Sequence, residues 1–242
     1  MSTTNYQLNH QVSARIWFKF GALSLVIGTI LFIMLSFVHP HQADPNNNAA
    51  VFAEYAADTD WIATHVEQFF ANFLIVGIAA FAIYQSLVEE NEITANWARL
   101  GMITAIVCLA VFAVDQALDA IALKRAVDAW AAAPADTKAV YFGTAESIRW
   151  LEYGLNGMYN VLQGLFVLFL SLGMAFSSAY PKWLGWTGVI AGGISRIIVG
   201  IATMSTGFST LVGLVNWIAF LGGTIWVFAA AYFLWKMPVK HI

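Results

Sequence analysis

The sequence predicts an all-α protein: a polytopic membrane bundle of six transmembrane helices with both termini cytoplasmic. Three observations carry that expectation. The chain of 242 residues is 60% hydrophobic and only 10% charged, where a soluble domain holds roughly a quarter charged residues. Mean hydropathy is +0.71, and apolar windows of about 20 residues, the length that crosses a bilayer, recur along the whole chain. The runs are continuously apolar instead of alternating at every second residue, which selects helices over a barrel.

Residues 1–16 are polar and read as a cytoplasmic tail; residues 17–237 form the six-helix domain, and 238–242 a second cytoplasmic tail. The spans fall near 17–38, 61–87, 97–123, 147–176, 183–204 and 211–237. The first reads as a retained signal-anchor, because a long polar segment precedes it and no small-residue cleavage site follows it. Trp and Tyr mark the span ends, where amphipathic rings sit at the headgroups. Trp61, Trp130, Trp150 and Trp217 are expected at one interface, and Trp17, Trp97, Trp183, Trp186 and Trp235 at the other.

Orientation follows from Lys and Arg. With the N-terminus inside, Arg15, Lys19, Arg99, Lys182, Lys236 and Lys240 are cytoplasmic, as the positive-inside bias requires. Lys124, Arg125, Lys138 and Arg149 then lie outside, among acid-rich loops. Segments 39–60 and 124–146 are the two substantial connections. The first is expected to carry a short Ala-rich surface helix, the second to lie along the interface. The remaining connections are short, so neighbouring helices should pack antiparallel. Cys108 stands alone, so no intrachain disulfide is possible. No basic stripe supports nucleic-acid binding.

The fifth span carries Gly188 and Gly192 at GxxxG spacing, followed by Gly193 and Gly200. Small residues at this spacing let two backbones approach in lipid. They mark an internal packing face or, alternatively, the seam of a homodimer.

Polar residues recur inside the spans, where each is expensive and must face protein or water. In the second, His65, Gln68 and Asn72 share one helix face beside Glu67, descending ~10 Å. The third brings Asp115, Gln116 and Asp119, the two acids one turn apart. On the fourth, Arg149, Glu152, Asn156, Asn160 and Gln163 form a continuous seam ~21 Å long, flanked by Tyr153 and Tyr159. The fifth contributes Ser195 and Arg196, the sixth Asn216. All lie in the same half of the bilayer.

Three readings fit this cluster. Arg196 with Glu152 or Asp115 would form a structural buried ion pair. An outward-facing pocket would bind a small ligand, ion or proton for transport or sensing, using His65, Gln68, Asn72, Asp115, Asp119, Arg149, Glu152, Asn156, Asn160 and Arg196. A membrane-embedded, metal-assisted enzyme would hold an ion on His65, Asp115, Asp119 and Glu152, which are acceptable zinc ligands. A role as a structural subunit of a membrane complex is a further alternative. No Glu-x-x-His, His-x-x-x-His or Cys-x-x-Cys spacing occurs, and no Gly-x-Ser-x-Gly, Walker or dinucleotide fingerprint. His39 and His41 form a His-x-His in a loop, read as a solvated turn. No histidine stands mid-membrane on facing helices, as haem ligation requires.

His39-Pro40, then Trp61 and His65, then Ala98-Arg99-Leu100-Gly101, then Tyr180-Pro181 through Gly185, together resemble bacterial six-helix membrane proteins grouped as domains of unknown function. The resemblance covers nearly the whole chain. It implies the bacterial inner membrane and carries no activity or catalytic residue. The favoured expectation is the ligand-, ion- or proton-binding pocket, with Glu152 and Asp115 as acceptors, Arg196 as counter-charge and His65 as the titratable group near the entrance.

Overall fold

The computed structural model describes residues 3–39, 42–207 and 209–238, with side chains described outside residues 3–12, 210 and 211. Pro40, His41 and Lys240 lie outside the described residues, as does most of the expected C-terminal tail. The described chain is helical, with no strand among the described residues. Its helices are α1 (Thr3–Val38), α2 (Asn48–Ala57), α3 (Trp61–Leu87), α4 (Glu92–Ala132), α5 (Lys138–Phe176), α6 (Lys182–Thr206) and α7 (Thr210–Lys236). All except α2 are long and apolar enough to cross a membrane, giving the six spans that hydropathy predicts.

Chain order dictates the packing. Each span packs beside the next in the chain, and α7 returns to α1, closing a ring. α5 is the most buried member, with 56% of its most apolar window buried against 28–44% in the others. The exposed faces are sheathed in Ile27, Phe70, Ile106, Ile218 and Ile225, among others. So much apolar surface is tolerable only against lipid, and lipid contact follows from it.

Local signals set the ends. Asn47 Oδ1 accepts from the Ala50 amide of α2 (3.2 Å), Asn91 Oδ1 from the Thr94 amide of α4 (3.0 Å), and the Ser209 hydroxyl from the Val212 amide of α7 (3.3 Å), satisfying first-turn donors. Gly207, at φ 65°, turns the chain from α6 into α7, a conformation glycine adopts without steric cost.

Two predicted segments are helical where loops or tails were expected. α1 begins at Thr3, so the residues assigned to the N-terminal tail are helical and continuous with the first span. Segment 124–146 is largely the prolongation of α4 and α5, joined through residues 133–137. Alanines favour helix throughout it, and Pro134 with its extended predecessor Ala133 makes the break. The resulting hairpin meets α2. Val51, Phe52, Tyr55, Trp61, Leu123, Val127 and Ala145 form a second apolar core there, separate from the bundle's. This end is the roofed end.

Glycines weld α5 to α6. A Cβ on Gly164 would meet the Gly193 carbonyl at 2.6 Å, and one on Gly200 the Gly157 carbonyl at 2.5 Å. Gly188 and Gly192 are buried against Ser171, Trp226 and Val167 of the same chain. Of the two expected uses of the small-residue face, the internal one is seen: Gly164, Gly188, Gly192 and Gly200 pack inside the fold, in the close approach that GxxxG spacing permits.

Candidate functional site

Three spans contain a π-helical stretch: Phe73–Ala79 in α3, Leu118–Leu123 in α4 and Gly188–Ile194 in α6. Each abuts a polar residue singled out above. Asn72 precedes the first, Asp119 lies in the second, and Ser195 and Arg196 follow the third. Such insertions rotate the following side chains off the α-helical register and are frequent at functional sites.

The centre of the roofed end is a contact between α3 and α4. His65 Nδ1 lies 2.7 Å from the Trp61 carbonyl oxygen, and His65 Nε2 lies 2.9 Å from Asp119 Oδ2. A carbonyl cannot donate, so Nδ1 carries the ring proton. With a second proton on Nε2 the ring donates to the carboxylate as well, and the contact is a buried His–Asp ion pair. His65 is 1% exposed and Asp119 9%, so the pair is shut off from bulk water.

Asp115 and Glu152 complete an acidic cluster. Asp115 acts electrostatically on both His65 and Asp119, and its carboxylate meets Asn156. Glu152, from α5, is within electrostatic reach of both aspartates. Asp115 is 2% exposed and Glu152 6%. Asp115 Oδ1, Asp119 Oδ1, Glu152 Oε2, Gln116 Oε1 and Asn72 Nδ2 are buried with no hydrogen-bond partner in the protein. Lone buried polar atoms cost about 1–3 kcal/mol each, and the three carboxylate oxygens gathered in one cluster call for something that satisfies them together. Gln68 is buried on the same face of α3 as His65.

Arg149 plays a different part from the predicted one. Its guanidinium donates to the Tyr153 hydroxyl (2.7 Å), the Tyr55 hydroxyl (3.1 Å) and the Pro45 carbonyl (3.4 Å), and it lies over the rings of Phe52, Tyr55 and Tyr153. It binds the 42–57 segment to α5, and so holds a roof over the acids. Lys124 fastens the other edge, donating to the Tyr55 and Ala56 carbonyls at 2.9 and 3.3 Å. Burial and the neighbouring carboxylates of Glu152 and Asp119 push the Tyr55 hydroxyl above its ordinary pKa, so it stays protonated. The pocket expected to be open is covered.

Arg196 is likewise not paired as expected. Among the described residues, no ion pair joins it to a carboxylate. It donates instead to Asn216 Oδ1 (2.7 Å) and Asn160 Oδ1 (3.3 Å), while Asn160 Nδ2 donates to Asn156 Oδ1 (3.0 Å). These amides run from Arg196 back to Asp115. They line a chamber of about 500 Å³ between Pro45 and the adjoining ends of α5, α6 and α7. Deeper in the ring, Tyr159 donates to Asn72 Oδ1 and accepts from Gln163 Nε2, both at 3.1 Å. With Arg196 they edge a mostly apolar cavity of about 100 Å³.

The structure thus brings His65, Asp115, Asp119, Glu152 and Asn156 into one cluster, links Asn160 and Arg196 to it through amides, and sets Arg149 in the roof. Sequence reasoning missed three participants. Trp61, expected at the headgroups, is 1% exposed and donates from Nε1 to the Asp119 carbonyl at 3.1 Å. Tyr55 was assigned to a surface helix. His39, read as part of a solvated turn, packs its ring 4.8 Å from that of Trp61 and 5.2 Å from that of His65. Its position directly before a proline at the end of a span was the available signal.

A ring of six apolar helices around a roofed, ionisable cluster defines a multi-pass membrane protein with a buried polar site. Comparison of the chain with protein-family models, with curated proteins and with solved structures returned no match.

Proposed function

We propose that the roofed-end cluster binds a small cation or cationic ligand, reached from the periplasmic face of a bacterial inner membrane, in the service of transport or sensing. The buried contact between His65 Nε2 and Asp119 Oδ2, 2.9 Å apart, carries this reading, because the position of its shared proton is one a cation can take. Partnerless oxygens on Asp115 and Glu152 surround it. Their charge, confined in low dielectric, makes a cation the complementary guest. The amide-lined chamber beside Asn156 supplies a polar approach. Arg15, Lys19, Arg99 and Lys182 at the opposite end favour placing the roofed end outside.

Stability of the purified chain, followed while single cations are added, tests the reading. A ligand that binds only the folded state at about a hundred times its Kd stabilises by ~2.7 kcal/mol. That gain should vanish in Asp119→Asn and in Glu152→Gln. A gain retained in both variants, or absent for every cation, removes the proposal.

A membrane-embedded enzyme is a second reading. The 500 Å³ chamber favours it, being large enough for a small substrate beside Asn156, whose side chain meets Asp115.

A further inference from the structure

We propose that the cation is a first-row divalent metal ion held by His39, His65 and Asp119, with one coordination position open toward Glu152. The inference rests on the cation-binding reading above and makes it specific. It also adds His39, which no carboxylate-only site would use.

The ligand atoms of His39, His65 and Asp119 all lie within 4.8 Å of one another. Donors bound to one zinc-like ion at about 2.0–2.2 Å stand about 2.9–3.4 Å apart for angles between square and tetrahedral. The His65–Asp119 pair already has that spacing, at 2.9 Å. His39 has to close in by roughly 1.5 Å to reach the same shell. It stands just beyond the end of α1, its ring already packed against those of Trp61 and His65.

The surroundings match what a metal ligand needs. A ligating histidine usually donates its second ring N–H to a carbonyl or carboxylate, which fixes the tautomer. His65 does so to Trp61. Trp61 in turn donates to the Asp119 carbonyl, so one residue orients both ligands. Asp119 Oδ1 and the nine-tenths-buried Glu152 Oε2 and Asp115 Oδ1 have no partner in the protein. Each can accept from a metal-bound water or complete the coordination. Two histidines and one carboxylate leave a fourth position free, the ligand count of catalytic rather than structural zinc.

The test uses the full-length chain in mild detergent, stripped with chelator and titrated with Co(II), then with Zn(II) in competition. One Co(II) per chain is expected, with visible absorption of a low-symmetry site, displaced by one Zn(II). His39→Ala, His65→Gln and Asp119→Asn should each weaken Co(II) binding more than tenfold, since even losing a second-shell partner costs about 10–100-fold. Glu67→Gln, on the exposed side of α3, should leave it unchanged. Gel filtration and helical circular dichroism verify folding, and His39→Ala, at a helix end, keeps the test meaningful if His65→Gln does not fold. Absence of stoichiometric Co(II) in the wild type, or full binding in His39→Ala, overturns the metal site. If monovalent cations still stabilise the chain through Asp119 and Glu152, only the metal is lost. If no cation does, the broader reading falls with it.

Discussion

Trp61 shows how one side chain can serve as wall and as fastener. Its ring fills the second core while its N–H holds the backbone of Asp119. Trp61→Phe should keep most of the packing and leave the Asp119 carbonyl without its donor, a loss of about 1–3 kcal/mol. Denaturant titration in detergent measures it, and an unchanged midpoint would mean that another donor takes over. Arg149 makes a sharper case. Lysine keeps its charge but cannot fork to Tyr55, Tyr153 and Pro45 at once. In Arg149→Lys, amide exchange should accelerate over residues 42–57 while the spans keep their protection. Uniform acceleration across the chain would instead make Arg149 a support of the whole bundle.

At the scale of elements, the α5–α6 contact is the least forgiving. Gly164 and Gly200 leave no room for a Cβ against opposing carbonyls. Gly164→Val and Gly200→Val should each cost about 1–3 kcal/mol, the usual penalty of overpacking. Gly154, on the same α5, has nothing within 4 Å of an added Cβ. Gly154→Ala should therefore be neutral, or stabilise by up to about 1 kcal/mol through helix propensity. Unfolding in mixed micelles ranks the three, and a Gly154 variant as damaged as the others would place an unseen partner on that face. The π-helical stretches belong to this scale too. In α4 one begins just before Asp119, turning the residues beyond it away from the register that an uninterrupted helix would keep.

For the whole molecule, the question is which side the roofed end faces. Cys108 is fully buried, so single cysteines can be introduced without removing it. Asn46→Cys and Asp136→Cys, exposed at the roofed end, should react with an impermeant thiol reagent on intact cells. Glu89→Cys, exposed at the opposite end, should react only after the membrane is opened. The reverse pattern would invert the topology and give the site to the cytoplasm. It would not disperse the cluster, because His65, Asp115, Asp119 and Glu152 lie together at one end of the ring.

The sequence by itself determined the solvent of this protein and the number of its spans, since hydropathy over about 20 residues needs no partner to be read. It also determined that His65, Asp115, Asp119, Glu152 and Asn156 face inward, because helical spacing fixes which residues share a face and hydrocarbon penalises any other placement. Pairing was another matter. Arg196 found Asn160 and Asn216 rather than an acid, and Arg149 found tyrosines, because which helix faces carry the partners depends on how six cylinders rotate against one another. The π-helical stretches that adjust those rotations leave no compositional mark. Trp61 looked like an interfacial anchor and His39 like a turn residue for the same reason. Only the folding of residues 42–57 over α3 and α5 made an interior where the chain alone indicates a surface.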